Sequence, residues 1–356
     1  MTLHDLGLCP FFSDQVPEEA PIARILSEHR GALLACTGRS TLTLAAHEVA
    51  SVGDWVLWEE SLYGPRVSTV LERRSFLQRT AAGAFDRKQV VAANLDHVFV
   101  VTSLNRDLSL NRLERFLVAT ASGGIPATLI LNKADLGPHQ AQLEAMRPLG
   151  APVIATSALS GLGMEQLKAC LSPGRTAGLI GMSGVGKSSL LNAVAGLELM
   201  DTGGIRESDA RGKHTTTRRE LFVVPDQGVW IDTPGMREVG LTQDADPSVV
   251  FADLEALAAS CRYRDCHHDG DEGCAVDAAI DAGTLSDRRV QNWFKLQRET
   301  DRAVRRHAAA TQRVEARRRK AALGAIATRE AWEERREQKR EQLRRRRDTK
   351  QRARRS

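Results

Sequence analysis

The run from Gly181 to Ser189 carries residues suited to holding phosphate groups. It reads GMSGVGKSS, fits G-x-x-x-x-G-K-[ST], follows the apolar run AGLI and begins a helix-forming run. Its glycines let backbone N–H groups face a phosphate, and the helix N-terminus adds a positive dipole end. We predict that Lys187 reaches the β- and γ-phosphates and that Ser188 ligates Mg²⁺. The predicted phosphate-binding residues are Gly181, Met182, Ser183, Gly184, Val185, Gly186, Lys187, Ser188 and Ser189.

Two further motifs carry residues suited to recognising a guanine base. NKAD follows the apolar run ATLIL, and TSA follows the apolar run PVIA. The Asp135 carboxylate can accept from guanine N1–H and from the exocyclic amine, a donor pair that adenine lacks, so GTP is favoured over ATP. We expect Asn132 to contact the other base edge and to join neighbouring loops, and the Ala158 N–H to meet guanine O6. The predicted base-binding residues are Asn132, Lys133, Ala134, Asp135, Thr156, Ser157 and Ala158.

A third region, GKHTTTRRE followed by DTPG, supplies candidates for the magnesium site. We predict that Asp232 holds Mg²⁺ through a water molecule and that the Gly235 N–H approaches the γ-phosphate. A threonine from the upstream run would complete the magnesium shell when GTP is bound. Thr217 is the first candidate and Thr216 the second, and a threonine-rich loop without function is the alternative.

The position after DTPG is occupied by Met236, where many GTPases have a glutamine that orients the attacking water. Slow intrinsic hydrolysis is therefore expected unless another group takes that role. His214, beside the threonines, is the candidate, and a solvent-exposed histidine without such a role is an equal alternative. The predicted catalytic residues are His214, Lys187 and Thr217.

The order of these motifs is unusual. NKAD and TSA precede the phosphate loop here, whereas an ordinary GTPase has them after DxxG. A permuted chain can build the same sheet if the original termini lay close together. The segment after DTPG then leads directly into the C-terminal region, so nucleotide state can be passed along the backbone.

A compact set of cysteines and histidines follows at residues 261–274. Three thiols and one imidazole there form a Cys₃His set typical of one structural zinc ion, and no position is left open for catalysis. His267 is a rival for the histidine position, and unrelated cysteines are the remaining alternative. The predicted ligands of Zn²⁺ are Cys261, Cys266, His268 and Cys274.

The elements that must position these residues fall into successive regions. Short β-type runs from about residue 21 to 79 favour a five-stranded OB-type barrel, a fold that often binds nucleic acid. Strands alternating with helices from about residue 94 predict a doubly wound parallel sheet. The predicted multidomain order is an N-terminal segment with an OB-type β-barrel (1–92), an α/β P-loop GTPase domain with circularly permuted motifs (93–242), a small α-helical zinc domain (243–300) and a basic helical extension (301–356).

Charge is unevenly distributed along the chain. Residues 301–356 hold 21 Lys/Arg and 8 Asp/Glu, whereas the whole chain has a formal net charge of +5. An acidic body with a basic arm for a polyanion is indicated, with a solvated or disordered extension as the alternative. We expect Arg73, Arg74 and Arg79 to join this arm in contacting RNA. No apolar run suits a membrane span and no signal peptide is evident, so a cytoplasmic protein is expected.

The motifs together resemble the RsgA/YjeQ family over roughly residues 6–300. The resemblance is carried by NLDHVFVVTSLN, LNRLERFLV, NKADL, GMSGVGKSSLLNA, GKHTTTRREL, DTPGMREVGL, the CRYRDCHH…C cluster and the barrel segment VGDWV. It implies an OB domain, a permuted GTPase domain and a zinc domain. It also implies late maturation of the 30S ribosomal subunit, GTP hydrolysis stimulated by that subunit, and binding to 16S rRNA.

Met236 keeps a different function open, a nucleotide-regulated RNA-binding module with negligible turnover. Phosphate release with and without purified 30S subunits distinguishes this module from a GTPase. A metabolic P-loop kinase is disfavoured by NKAD. We expect the protein to act as a monomer.

Overall fold

The computed structural model describes residues 1–29, 31–45, 49–80, 88–105, 108–200, 219–233 and 240–352. The chain divides into two compact units, Met1–Ala303 and Val304–Ser356. The strands are β1 Ile22–His29, β2 Ala32–Cys36, β3 Thr41–Ala45, β4 Trp55–Ser61, β5 Gly64–Val70, β6 Phe76–Thr80, β7 Lys88–Ala93, β8 His97–Ser103, β9 Ala127–Asn132, β10 Val153–Ala155, β11 Thr176–Gly181, β12 Glu220–Val224 and β13 Gly228–Asp232. The α-helices are α1 Pro10–Ser13, α2 Leu110–Ser122, α3 Gln140–Met146, α4 Met164–Ala169, α5 Lys187–Ala195, α6 Ala252–Ala258, α7 Ala275–Asp281 and α8 Asp287–Arg352.

The predicted five-stranded barrel is confirmed. β1 pairs with both β2 and β4, and the ring is completed through β3 and β5. Alternate strand residues point inward, and the barrel core includes Ala23, Ile25, Leu33, Leu44 and Val56. The hairpin of β6 and β7 follows the barrel along the chain.

The predicted parallel sheet is also confirmed. β10, β9, β8, β11 and β13 lie side by side in that order and all pair in parallel. Leu190 and Leu191 of α5 pack on one face with Phe99, whereas Leu113 and Phe116 of α2 belong to the cluster on the other face. Because both faces are covered, these strands read as nearly continuous apolar runs.

The barrel and the parallel sheet are joined by hydrogen bonds between strands. β12 pairs antiparallel with β13 on one side, and its residue Glu220 lies opposite Ser27 of β1 on the other. The two structures therefore form one continuous eleven-stranded sheet. Asp232 lies opposite the same Glu220, so the barrel wall is two strands away from the end of β13.

The N-terminal segment before β1 packs against the barrel. It contains the short helix α1, and both Leu6 and Phe12 are fully buried. The Phe12 ring lies 5.8 Å from the ring of Trp55 at the start of β4. Two large apolar side chains in a short segment were enough to fix it against the barrel, in spite of its two prolines.

Helices follow the parallel sheet, as predicted. The Cys/His loop lies between α6 and α7 along the chain, and α8 follows α7. The second unit is helical as far as Arg352, and its described side chains are almost all exposed. Within the described residues, none of the helices combines the length and apolar character needed to span a bilayer.

Candidate functional site

Four motif loops meet at one edge of the parallel sheet. β9 ends at Asn132, β10 at Ala155, β11 at Gly181 and β13 at Asp232. Because these strands are parallel, their carboxyl ends lie along the same edge, where ligands of open α/β sheets bind. Residues distant in the sequence are thereby brought into one site.

The phosphate loop has glycine where a side chain would not fit. Gly181 has φ +151°, and a Cβ on it would lie 2.2 Å from the Val101 carbonyl oxygen. Gly186 has φ +95°, and a Cβ there would lie 2.4 Å from Nδ2 of Asn132. The close approach of Asn132 to Gly186 matters most, because it shows that the base-recognition loop is packed directly against the phosphate loop.

Lys187 lies at the N-terminus of α5 with its ammonium turned across the loop. Its Nζ donates to the carbonyl oxygens of Gly181 and Met182 at 3.2 and 3.0 Å. Burial lowers the pKa of Lys187 from its usual value, and Asp232 opposes that shift. The side chain is thus held by the loop at which the predicted phosphates would bind.

Asp232 is fully buried at the end of β13. Neither carboxylate oxygen receives a hydrogen bond of good geometry from the described residues. Burial raises the pKa of Asp232 to about 6, and Lys187 and the Ser188 hydroxyl partly offset the rise. A buried carboxylate that lacks hydrogen bonds of good geometry is costly unless a cation compensates it. Oxygen ligands beside phosphates suit Mg²⁺, so Asp232 and Ser188 fit that ion.

Asn132 ties three loops together, as predicted. Its Nδ2 donates to the Val185 carbonyl oxygen at 2.9 Å, and its Oδ1 accepts from Oγ1 of Thr156 at 3.2 Å. Lys133 has a left-handed backbone and its Nζ donates to the Gly184 carbonyl oxygen at 2.7 Å. NKAD therefore braces both the phosphate loop and the TSA loop.

The base-recognition residues differ in exposure. Thr156 and Ser157 are fully buried, and the Ala134 N–H donates to the Thr156 carbonyl oxygen at 3.0 Å. Asp135 is exposed and Ala158 is half-buried. The arrangement leaves the Asp135 carboxylate accessible to a ligand, while its neighbours hold the loops in place.

Several predicted residues lie outside the described part of the chain. They are His214, Thr216, Thr217, Gly235 and Met236. Their predicted roles in catalysis, magnesium binding and γ-phosphate contact stay predictions. Arg219 follows the first of these undescribed segments and precedes β12, and Thr233 follows β13 and precedes the second segment.

The four predicted zinc ligands come together. Their ligand atoms all lie within 4.8 Å of one another, and the Sγ atoms of Cys261 and Cys274 are each 3.5 Å from Nδ1 of His268. Ligands at zinc distances in a tetrahedron stand about 3.5 to 3.8 Å apart, a spacing that the two thiol–imidazole distances match, so the set could hold one zinc ion. The rival, His267, is 85% exposed and lies near Asp271 instead.

The loop around the cluster supports the ligands. The Asp277 N–H donates to Sγ of Cys274 at 3.3 Å and the Ala275 N–H to Sγ of Cys261 at 3.4 Å. The His268 ring lies 6.0 Å from the ring of Trp293 in α8. Such outer contacts orient the ligands and make thiolates more favourable.

The three arginines expected to contact RNA have partners within the protein. Arg73 forms two 2.7 Å bonds with the buried Asp54 carboxylate, and Arg74 pairs with Asp96. Arg79 donates to Oε1 of Gln89 at 3.2 Å. Arg73 and Arg74 therefore neutralise carboxylates of the protein itself, and the RNA contact expected of the three arginines stays a prediction. No sequence pattern points to the partners of Arg73 and Arg74, because each of these two pairs joins residues about twenty positions apart.

Sequence reasoning missed a charged cluster between α2 and α8. Glu114 is fully buried and accepts from Arg288 at 2.9 Å, from Arg289 at 3.3 Å and from Asn292 at 2.6 Å. Each of these three partners is more than 170 positions from Glu114 in the sequence. An acidic residue on the apolar side of α2, within LNRLERFLV, was the available signal.

The fold and the site define a P-loop GTPase with permuted motifs. The sequence pattern of the RsgA GTPase family matches residues 70–242. The pattern of ABC transporters matches residues 164–331, a range that holds the phosphate loop and lacks NKAD. The match to the RsgA GTPase family includes both NKAD and the phosphate loop, so it is the informative one.

Relatives extend the match over most of the chain. "Small ribosomal subunit biogenesis GTPase RsgA 2" of Vibrio vulnificus is 43% identical over 309 residues, covering 84% of this chain and 88% of that protein. "Small ribosomal subunit biogenesis GTPase RsgA" of Xanthomonas oryzae pv. oryzae is 42% identical over 305 residues, covering 81% and 83%. The chain belongs to the RsgA GTPase family and is a GTP-hydrolysing enzyme.

Solved structures agree with the fold. YjeQ from Thermotoga maritima is 25% identical with a TM-score of 0.54, covering 79% of this chain and 98% of that one. YloQ, titled a circularly permuted GTPase, is 21% identical with a TM-score of 0.52, covering 80% and 96%. The permuted order deduced from the motifs is confirmed.

Proposed function

We propose that this enzyme hydrolyses GTP during late maturation of the 30S ribosomal subunit, and that the subunit stimulates hydrolysis. The observation that carries the GTP chemistry is the meeting of four motif loops at one sheet edge, with Asn132 bridging two of them to the phosphate loop. The assignment to the small subunit is supported by the names of the Vibrio and Xanthomonas relatives.

In this proposal each motif residue has one task. Asp135 selects guanine through its exposed carboxylate, and Lys187 neutralises the β- and γ-phosphates. Ser188, Asp232 and Thr217 would hold Mg²⁺, which would supply positive charge beside the transferred phosphoryl group. To reach the phosphates, Nζ of Lys187 must leave the carbonyl oxygens of Gly181 and Met182, to which it donates.

His214 is proposed to orient the attacking water, because Met236 has no group that can do so. A histidine can accept a hydrogen bond from water in its neutral form. The Gly235 N–H is proposed to contact the γ-phosphate. Both residues lie outside the described part of the chain, so their tasks rest on the sequence motifs.

The Cys₃His set is proposed to hold one structural zinc ion. Zinc there would fix the loop between α6 and α7 and the start of α8, where Trp293 meets the His268 ring. The thiolates and the imidazole fill all four tetrahedral positions, so the ion supplies stability and no chemistry.

The proposed partner is 16S rRNA within the 30S subunit. The barrel and the basic extension are the elements assigned to it, since Arg73 and Arg74 are bound within the protein. The enzyme is proposed to act in the cytoplasm as a monomer.

The central experiment measures phosphate release from GTP with purified 30S subunits, with 50S subunits and without particles. We expect 30S subunits alone to accelerate release. His214→Ala should reduce the accelerated rate and leave GTP affinity nearly unchanged, whereas a loss of affinity would make His214 structural. Equal rates under all three conditions would contradict the proposal. Sedimentation with each particle and a non-hydrolysable GTP analogue then shows whether binding itself is selective.

A further inference from the structure

The carboxylate of Glu299 in α8 joins two parts of the GTPase domain. Its Oε1 and Oε2 accept from Nη1 and Nη2 of Arg115 in α2 at 2.6 and 2.7 Å. The same Oε1 accepts from the backbone N–H of Leu241 at 3.3 Å. Paired bonds between an arginine and a carboxylate are strong and fix geometry. Glu299 is thus held firmly by α2 while it contacts Leu241.

Leu241 occupies a special place in the chain. Eight residues separate it from Asp232, and it follows Gly240, the first described residue downstream of DTPG. Leu241, Thr242 and Ala245 are all buried. Nε2 of Gln78 in β6 donates to Oγ1 of Thr242 at 3.1 Å and to a carboxylate oxygen of Asp244 at 3.0 Å. The segment 241–245 is therefore held from two sides, by α8 and by β6.

We propose that Glu299 is a positioning residue for GTP hydrolysis. By fixing Leu241 against α2 and α8, it holds the chain at a point eight residues beyond Thr233, which follows Asp232 at the end of β13. A shift of Leu241 with nucleotide state is then passed to α8 through one carboxylate, and a displacement of α8 is passed back to Leu241. This proposal rests on the GTPase activity of the chain and does not depend on the ribosomal partner.

Attachment of α8 to α2 does not depend on Glu299 alone. The buried Glu114 carboxylate holds Arg288, Arg289 and Asn292 about two turns earlier in α8. Loss of the Glu299 carboxylate should therefore leave α8 in place. What it removes is the acceptor offered to Leu241 and the bridge to Arg115.

The test uses the full chain with Glu299→Ala and Glu299→Gln. The glutamine keeps an oxygen that can accept from Leu241 and loses the paired charge. We expect single-turnover GTP hydrolysis without particles to fall about three- to tenfold in Glu299→Ala, the range for one lost hydrogen bond of typical strength, and less in Glu299→Gln. GTP affinity should stay within about twofold, because neither change touches the nucleotide loops.

The matched control is Glu255→Ala. The Glu255 carboxylate also contacts α8, accepting from Trp293 Nε1 and Gln297 Nε2 at 3.0 Å, and it has no bond to segment 241–245. Hydrogen exchange of segment 241–245 and of α8 near Glu299 is compared with GDP and with a non-hydrolysable GTP analogue. We expect a nucleotide-dependent difference in the wild type and the control, and its loss in Glu299→Ala.

A charge swap separates positioning from packing. Arg115→Glu combined with Glu299→Arg restores the bridge between α2 and α8 but supplies no acceptor to Leu241. We expect the swap to recover thermal stability without recovering the hydrolysis rate or the exchange difference. Recovery of all three, or an effect of Glu299→Ala no larger than that of Glu255→Ala, would overturn the proposal and leave Glu299 a packing residue.

Discussion

The nucleotide site and the Cys/His cluster are built in opposite ways. Residues of the first come from strand ends spread between Asn132 and Asp232, and parallel strand pairing brings them together. Residues of the second lie within 14 consecutive positions, Cys261 to Cys274. One site is a consequence of the whole sheet, and the other is a consequence of a short loop.

This difference sets what each site needs in order to form. The nucleotide loops are braced by protein bonds, such as those of Asn132 to Val185 and Thr156. The Cys/His loop gathers three thiol groups whose ionised forms repel one another unless a cation lies among them. Binding of an ion to such a loop is coupled to its folding. Removing the ligand should therefore damage the second site much more than the first.

The largest expected effect tests the nucleotide site. Lys187→Ala removes the only charged side chain of the phosphate loop, and we expect GTP hydrolysis to fall at least about 10²- to 10³-fold, the loss seen when a transition-state charge contact is removed. Circular dichroism should show an intact fold. Lys168→Ala, which removes a lysine paired with Glu165 on α4, is the control and should hydrolyse normally. A variant with near-normal turnover would disprove the assigned role of Lys187.

Base selection is the next effect in size. Asp135→Asn replaces a carboxylate that accepts from guanine with an amide that also donates. We expect preference for GTP over xanthosine triphosphate to fall by about 10²-fold or more, because a polar site penalises the base it no longer pairs with. Competition binding measures the ratio. Asp226→Asn, an exposed aspartate in the turn between β12 and β13, is the control. Unchanged selectivity would contradict the role of Asp135.

Zinc removal should separate the two sites. Purified protein should contain about one zinc per chain, and Cys261→Ser should abolish it. We expect the Cys/His loop to become susceptible to proteolysis while GTP affinity stays within about twofold, because the nucleotide loops are braced by the sheet. Cys170→Ser, an exposed thiol outside the cluster, is the control. Metal-free wild-type protein, or loss of GTP binding in Cys261→Ser, would break the comparison.

The sequence predicted what depends on local pattern. The phosphate loop, NKAD, TSA and the cysteine spacing are short runs in which each residue type has its own chemical reason. The parallel sheet followed from apolar runs alternating with helices, and His268 needed the structure only to be chosen over His267. Such features can be deduced because the contacts that matter lie within a few residues or along one sheet edge.

Contacts between distant elements could not be predicted. Arg73 has the positive charge that RNA binding needs, yet it pairs with Asp54 of the barrel. Glu114 and Glu299 have ordinary helical positions, yet they join α2 to α8. Partner choice in these pairs depends on which surfaces the fold brings together, and a single sequence carries no record of that.

The smallest expected effect concerns the basic extension. Unit 304–356 is helical as far as Arg352 and rich in arginine, so it can neutralise phosphates of rRNA. Each neutralised phosphate releases counterions and steepens the salt dependence of affinity, by about 0.7 to 0.9 units of slope on logarithmic axes. Arg306, Arg313 and Arg317 share one helix face by their spacing, so up to three phosphates could be contacted together.

Changing these three arginines to glutamine should reduce the slope by up to about 2 to 3 units while the preference for 30S over 50S subunits persists, because shape recognition of RNA by other elements is retained. The measurement is 30S affinity across salt concentrations. The control changes three basic residues that are paired with carboxylates in the parallel-sheet region, namely Arg147, Lys168 and Arg175, to glutamine. Equal slopes for the two triple variants would mean that the extension is a solvated helix with no specific share in binding. A lost preference for 30S would mean instead that the extension, and not the barrel or the zinc domain, recognises the particle.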